Sequence, residues 1–177
     1  MIVNAHKLYV QNRGWKLIKT HGEEVIEHVI SFKRKIDNLL EGAFSNDRKF
    51  FIANKLGWEK FLNRNAASSA ELLARYADSK LNRRAKHSLT STELEHALDE
   101  IIDIFKHVLA KDVFETFYCK YLSKRLLFDS SASNDAEKSM IGKLKTECGS
   151  NFTMRIANMY KDIEISNTLL ENFHEKL

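Results

Sequence analysis

The sequence predicts an all-α protein of eight or nine antiparallel helices, and three observations support this fold class. The 177 residues include no proline, although a chain of this length has about nine on average. Apolar residues recur at spacings of three and four, which is the period of an amphipathic helix. The strict alternation of a half-buried strand is not found over five or more residues. Helices joined by short polar loops account for all three observations.

Helix starts are indicated where a short polar side chain precedes a glutamate by three residues. In this pattern the first side chain accepts a hydrogen bond from a free backbone N–H, while the glutamate reaches back to the capping residue. Each occurrence therefore predicts the beginning of a helix. The pattern occurs at Thr20–Glu23, Ser68–Glu71, Thr90–Glu93 and Asp112–Glu115.

An apolar stripe follows each of these starts and predicts the face that each helix buries. The third stripe has the most regular spacing. In chain order the stripes are Val25, Val29, Phe32, Ile36 and Leu40; Leu72, Leu73, Tyr76 and Leu81; Leu94, Leu98, Ile101, Phe105 and Val108; and Phe114, Phe117, Tyr118, Tyr121 and Leu122.

The C-terminal third predicts three shorter helices. Ser133 or Asn134 caps the first, and Gly149 in the left-handed conformation closes it. The second carries an apolar face, and Ser166 caps the third. The apolar residues expected to face inward are Phe152, Ile156 and Tyr160 in the second helix, and Leu169, Leu170, Phe173 and Leu177 in the third. The predicted loops are 63–69, 85–91 and 129–134.

Composition narrows the functional class. The net charge is +4, with 44% hydrophobic and 29% charged residues, values typical of a globular chain. Two cysteines, Cys119 and Cys148, do not form a disulfide framework and suit a reducing compartment. The N-terminus does not resemble a signal peptide, and no apolar run has the length of a membrane span. We therefore expect a protein of the cytoplasm or the nucleus, without a membrane partner.

Two Glu-x-x-His pairs, Glu93/His96 and Glu171/His174, have the spacing found in di-iron sites of helical bundles. His96 follows Leu94 by two residues, which turns its side chain about 200° away from the buried stripe. A metal site of this type must face inward, so we predict no metal there. Cys119 and Cys148 lie at or beside apolar faces and are expected to be small buried residues. Because no catalytic motif is present either, we predict neither an enzyme nor a cofactor site.

Basic residues form three clusters that could contact phosphate groups or an acidic protein segment. Lys33–Lys35 and Arg83–Lys86 spread around their helices, since consecutive residues diverge by about 100°. Lys120 and Lys124 share one face with Arg125 alongside, which makes these three residues the candidate protein-binding surface. The alternative is an ordinary solvated face. No nucleic-acid partner is predicted, because the net charge is modest and no binding motif accompanies it.

Several ordered segments resemble the cullin family. The resemblance is strong over about 70–177 and loose over 1–69. The run Lys-Thr-Glu-Cys-Gly-Ser weakly favours the fourth cullin class. The segments are ELLARYAD at 71–78, KDVFETFY at 111–118, YLSKRLL at 121–127, SASNDAEKSMI at 131–141, KLKTECG at 143–149 and DIEIS at 162–166.

This resemblance implies a helical scaffold of cullin–RING ubiquitin ligases, acting in ubiquitin-dependent protein catabolism. Residues 1–110 are expected to be part of a cullin repeat, and residues 111–177 the start of the helical bundle of the cullin homology domain. Such scaffolds hold a substrate adaptor and a RING protein, and they act by positioning their partners without a catalytic side chain.

The resemblance does not include the family's adaptor-binding helices, the region that embraces the RING protein or the winged-helix segment with its modified lysine. We therefore expect a truncated cullin. The alternative is a truncated, cullin-derived helical module that binds a protein partner without supporting ubiquitin transfer.

Overall fold

The computed structural model describes residues 1–19, 24–44, 47–84 and 89–174, and over these ranges it confirms an all-α fold. The described part contains eight α-helices and one 3₁₀ turn, and no strand beyond a single bridge between Asn82 and Ser131. The helices are α1 Ile2–Lys19, α2 Val25–Phe44, α3 Arg48–Leu62, α4 Ala66–Leu81, α5 Ser91–Phe105, α6 Lys111–Leu127, α7 Asn134–Cys148 and α8 Ser150–His174, with the 3₁₀ turn at Asn63–Asn65. None of the described helices is both long and apolar enough to cross a membrane.

The chain forms two compact units that interleave along the sequence. The first unit comprises residues 1–76 and 103–114, and the second comprises residues 77–102 and 115–177. Each unit therefore contains two separate stretches of chain, and the boundaries fall within α4, α5 and α6. The division into family domains near residue 110 stays a prediction.

In the first unit, α1 and α3 approach closely at two glycines. A Cβ atom on Gly14 would collide with the ring of Phe61, and one on Gly57 would lie 3.0 Å from the Cβ of Val10. Phe61 and Val10 are fully buried beside them. Glycine at this crossing lets the two helix backbones approach closely, and buried aromatic and aliphatic side chains fill the remaining space.

Aromatic contacts surround Trp58 in the same unit. Its ring lies 5.7 Å from that of Phe32 and 5.0 Å from that of Phe61, measured between centroids. The indole Nε1 donates a hydrogen bond to Asn54 Oδ1 at 3.1 Å, which satisfies its buried polar atom. His107 stacks on the indole at 6.1 Å.

Asn63 holds the turn between α5 and α6. Its Nδ2 donates to the carbonyl of His107 at 2.8 Å, and its Oδ1 accepts from the backbone N–H of Leu109 at 2.8 Å. The His107 carbonyl and the Leu109 N–H lie in a turn, where no helical hydrogen bond is available to them, and Asn63 satisfies both. One side chain thereby fixes the segment that leads into α6.

Two predicted helix caps are confirmed. Thr90 and Glu93 form the reciprocal pair before α5: the N–H of Thr90 donates to Glu93 Oε2 at 2.9 Å, and the N–H of Glu93 donates to Thr90 Oγ1 at 3.3 Å. Ser133 caps α7 by accepting from the N–H of Ala136 at 3.4 Å. Gly149 closes α7 with φ 84° and ψ 171°, a positive φ as predicted but with an extended ψ.

Other predicted boundaries are wrong. Ser68 lies inside α4, because the 3₁₀ turn at Asn63–Asn65 leads directly into that helix and residues 63–69 form no loop. Asp112 is the second residue of α6 and not its cap. Ser166 lies inside α8, a single helix of 25 residues that replaces the last two predicted helices. The predicted cap at Thr20 lies outside the described residues.

The apolar stripe near the end of α8 does not face inward as predicted. Leu169, Leu170 and Phe173 are 64%, 54% and 61% exposed, and Leu177 lies outside the described residues. The second turn of α7 lies beside Tyr160 and Glu164, where Lys138 Nζ reaches a carboxylate oxygen of Glu164 at 2.8 Å. Since α7 begins at this level, it does not cover the following turns of α8.

Candidate protein-binding surface

Lys120 and Lys124 lie on an exposed face of α6, as the sequence predicts. They are four residues apart, so their side chains project from neighbouring turns. The Nζ atom of Lys120 lies 6.0 Å from the centroid of the Phe117 ring. Both ammonium groups are therefore available to an external partner.

Two apolar side chains extend this face. Leu127 is 71% exposed and Phe128 is 65% exposed, and Phe128 stands four residues after Lys124. The N–H of Phe128 donates to the carbonyl of Lys124 at 3.0 Å, which continues the helical turn. We call Lys120, Lys124, Leu127 and Phe128 the α6 face. Sequence reasoning missed its apolar half, although the large residues just before the serine-rich loop were a signal.

Arg125 does not belong to the α6 face, which corrects the sequence prediction. Its side chain is 1% exposed. The Nε atom donates to Glu137 Oε1 at 2.7 Å and Nη2 donates to Glu137 Oε2 at 3.0 Å, while Nη1 donates to Asp78. The guanidinium therefore points into the second unit and joins α4, α6 and α7.

Glu137 is the centre of this buried network. Its side chain is fully buried and also accepts hydrogen bonds from Ser131 Oγ at 2.9 Å and from Tyr118 OH at 3.4 Å. Burial and the nearby Glu137 charge raise the pKa of Tyr118. Burial alone would lower the pKa of Arg125, but the hydrogen bonds and charge of Glu137 outweigh burial and raise it. The Arg125 guanidinium thus stays charged.

Backbone pairing fixes the segment that follows the α6 face. The N–H of Arg83 donates to the carbonyl of Ser130 at 2.7 Å, and the N–H of Ala132 donates to the carbonyl of Leu81 at 2.7 Å. Asp129, with φ 45°, adopts the left-handed conformation at the turn. These contacts hold the chain directly after Phe128.

The other basic clusters are engaged in contacts within their own units. Lys33 Nζ lies 2.6 Å from a carboxylate oxygen of Asp37 and 3.7 Å from one of Asp103. Arg83 Nη2 donates to the carbonyl of Asp129 at 2.8 Å. Lys86 lies outside the described residues.

The residues considered for metal binding or nucleophilic chemistry are separated. Glu93 belongs to the cap of α5, whereas His96 is exposed with its Nδ1 3.7 Å from Glu100. The side chains of Glu171 and His174 lie outside the described part. Over the residues that are described, no three His, Cys, Asp or Glu side chains gather as metal ligands would. Cys119 is buried, and burial raises the pKa of its thiol.

Fold and surface together define an all-helical protein whose candidate site is an exposed face with two cations and two apolar side chains. Residues 1–170 match the family described as the cullin alpha solenoid domain. The chain is 41% identical over 176 residues to Cullin-4 of Dictyostelium discoideum, covering 98% of this chain and 22% of that protein. It is also 41% identical over 155 residues to Cullin-4A of Homo sapiens, covering 88% of this chain and 20% of that protein.

The chain therefore belongs to the cullin family and is similar to cullin-4 proteins, which confirms the resemblance seen in the sequence. It spans about a fifth of the length of these relatives.

Proposed function

We propose that this chain is a scaffold segment of a cullin–RING ubiquitin ligase and supplies no catalytic side chain. Family membership over residues 1–170 is the observation that carries this proposal. The exposed α6 face supports it, because a scaffold acts through surfaces that hold other proteins. Holding a RING protein and a substrate adaptor in one assembly raises the effective concentration of the target lysine.

The domain assignment and cellular location form part of the same proposal. Residues 1–110 act as part of a cullin repeat, and residues 111–177 form the start of the cullin homology domain. The chain works in the cytoplasm or the nucleus, where cullin–RING ligases meet their substrates. Its partners are proteins, and neither nucleic acid nor a membrane is involved.

The α6 face is proposed to receive an acidic segment of the ubiquitin-conjugating enzyme. Lys120 and Lys124 provide two exposed positive charges, and Leu127 and Phe128 provide apolar area beside them. Charges at the rim of an interface mainly raise the association rate, and salt screens their effect. Burial of the two apolar side chains then slows dissociation.

Co-purification tests the scaffold proposal. The chain is expressed with an affinity tag in cells, and the bound fraction is assayed for a RING protein and for ubiquitin transfer. We expect both to be present. Recovery of neither would contradict the proposal for this chain.

A protein-binding module without ligase function is the second candidate. The observation that favours it is the exposed α6 face, since a surface of two cations and two apolar side chains can hold a protein without any ubiquitin transfer. In that case the tagged chain would retain a helical protein partner while the bound fraction would show no ubiquitin transfer. The same co-purification therefore distinguishes the two candidates.

Charge reversal tests the α6 face itself. The Lys120→Glu/Lys124→Glu variant should bind an acidic Asp/Glu-rich peptide about tenfold more weakly at low salt, and the difference should shrink as salt rises. Lys145→Glu/Lys161→Glu changes the net charge equally at exposed positions elsewhere in the second unit. Equal affinities of the two variants would assign Lys120 and Lys124 to an ordinary solvated face.

A further inference from the structure

The outer face of α3 carries a row of four residues spaced by four. The row is Arg48, Ile52, Leu56 and Lys60, and all four are exposed. Residues spaced by four project from successive turns of one helix face. The row therefore places two apolar side chains in the middle and a cation at each end. We call these four residues the α3 row.

The apolar centre of the α3 row is about half exposed. Ile52 and Leu56 are each 48% exposed. The opposite side of α3 is buried, where Gly57 meets α1 and Trp58 and Phe61 fill the core. Packing of the first unit therefore uses one side of α3 and leaves the other side uncovered in this chain.

Positive charge surrounds this apolar centre. Lys49 and Lys55 are exposed beside the row, and Glu59 lies 3.9 Å from Lys55 as its ion-pair partner. Among the described residues, Arg48, Lys49 and Lys60 take part in no ion pair. The α3 row thus presents an excess of cations around two leucine-sized apolar groups.

We propose that the α3 row is a docking site for an acidic amphipathic helix of another protein. The complementary helix would carry two apolar residues four positions apart with a carboxylate four residues before and after them. Its carboxylates would pair with Arg48 and Lys60, and its apolar pair would cover Ile52 and Leu56. In helix-in-groove recognition of this kind, the anchoring side chains of the bound helix are spaced by three and four residues.

A protein helix suits this surface better than an anionic membrane does. An interfacial helix buries its apolar face about 5–10 Å into the lipid, which requires a wide apolar surface. Here the apolar area consists of Ile52 and Leu56 with the exposed ring of Phe51 beside them, and α3 is held by its other side in the first unit. Two side chains flanked by cations match the pattern of a second, oppositely charged helix.

This inference goes beyond the proposed scaffold function. The α3 row lies in the first unit, whereas the α6 face lies in the second. A chain that does not co-purify with a RING protein would contradict the scaffold proposal but not the α3 proposal. A chain that does not bind the acidic peptide would contradict the α3 proposal but not the scaffold proposal.

The test uses the full chain and a synthetic helical peptide with the row Glu-x-x-x-Leu-x-x-x-Leu-x-x-x-Glu. Binding is measured by fluorescence anisotropy at low salt and again at high salt. We expect saturable binding that weakens with salt. Ile52→Gln/Leu56→Gln should weaken it by about tenfold, as should Arg48→Glu/Lys60→Glu.

Two controls make the result specific. Lys16→Glu/Lys35→Glu alters the net charge equally at exposed positions on α1 and α2 and should leave affinity within about twofold at high salt. A peptide with lysines in place of its two row glutamates should bind Arg48→Glu/Lys60→Glu better than the unaltered chain. Because this result is a gain of binding, an unfolded variant would not produce it.

Three results would overturn the proposal. The first is no binding of the acidic peptide, and the second is equal weakening by the α3 variants and the Lys16/Lys35 control. The third is binding to vesicles of phosphatidylserine and phosphatidylcholine, abolished by the α3 variants, in the absence of peptide binding. That outcome would assign the α3 row to a lipid surface.

Discussion

The two units of the molecule have interiors of different chemistry. The first unit is packed by aromatic rings and a glycine-mediated helix crossing, with Gly14 against Phe61 and Trp58 beside Phe61. The second unit contains a fully buried ion pair, Arg125 with Glu137. A close apolar crossing is sensitive to volume, whereas a buried ion pair is sensitive to the loss of either partner.

This contrast shows that neighbouring residues of one basic stretch can have opposite roles. Lys124 projects outward on the α6 face, and Arg125 turns inward to Glu137 and Asp78. Consecutive helical residues diverge by about 100°, so one position separates an exposed cation from a buried one. The proposed binding surface and the interior of the second unit are therefore built from adjacent residues.

The largest expected effect is removal of the Arg125 side chain. Arg125→Met should lower the free energy of unfolding by about 3–5 kcal/mol, because it leaves Glu137 charged and buried without its partner. Lys124→Met, one residue earlier and exposed, should change the free energy by less than about 0.5 kcal/mol. Urea unfolding followed by circular dichroism measures both, and similar values would remove the contrast between the two positions.

Overpacking of the glycine crossing should have the next largest effect. Gly14→Ala should lower the free energy of unfolding by about 2 kcal/mol, since the added methyl group collides with the Phe61 ring. A methyl group added at Gly42 on α2 would meet no neighbouring atom within 4 Å, so Gly42→Ala should stabilise the helix by about 0.5–1 kcal/mol. A stabilising Gly14→Ala would show that the crossing is loosely packed.

The first unit should also respond to acid through His107. Burial, followed by the charges of Lys33 and Lys55, lowers the pKa of His107 from 6.5 to about 4. Its Nδ1 atom is buried without a hydrogen-bond partner in the described part of the chain. The unfolded chain therefore takes up a proton on this residue below about pH 6.5, which the folded chain does not take up until about pH 4.

The free energy of unfolding should consequently fall as the pH is lowered through this window. The pKa shift of His107 corresponds to roughly 3 kcal/mol, and solvent screening of this partly exposed ring reduces the expected change to about 2 kcal/mol. His107→Gln should flatten that part of the pH dependence in urea titrations. Asp37 and Asp103 oppose the shift, and His6 contributes in the same direction as His107. An unchanged pH profile in the variant would contradict a buried, neutral His107.

The smallest expected effect lies at the cap of α5. Thr90→Ala should lower the free energy of unfolding by about 1 kcal/mol, because the N–H of Glu93 loses its acceptor. Ser91→Ala, at the adjacent exposed position, should have little effect. Equal effects of the two variants would indicate that the reciprocal bonds to Glu93 contribute nothing to stability.

Periodicity predicted most of the helices and much of the core, but it marked no stripe for α1 or α3 and did not show which element covers each apolar face. Leu94, Leu98, Ile101 and Phe105 are buried at 5% exposure or less, as their spacing predicts. The same spacing at Leu169, Leu170 and Phe173 predicted burial that does not occur. A pattern shows which side of a helix is apolar, whereas burial requires a partner element that the pattern does not contain.

Only part of the candidate site could be predicted, because local spacing does not show which side chains meet a distant partner. Lys120 and Lys124 are exposed as their spacing predicts, but Arg125 was wrongly placed beside them. Its partner Glu137 is twelve residues away across a turn, a distance over which local periodicity carries no information. The exposed pair Ile52 and Leu56 was likewise not predicted, because residue type alone does not show which apolar side chains of α3 are covered.

The contrast between the units depends on Arg125 and Glu137 acting as one buried pair, and a double-mutant cycle tests this directly. The free energy of unfolding is measured for Arg125→Met, Glu137→Leu and the double variant. We predict a coupling of at least about 2 kcal/mol, with the double variant more stable than either single variant. Additive losses, with a coupling below about 0.5 kcal/mol, would contradict the account.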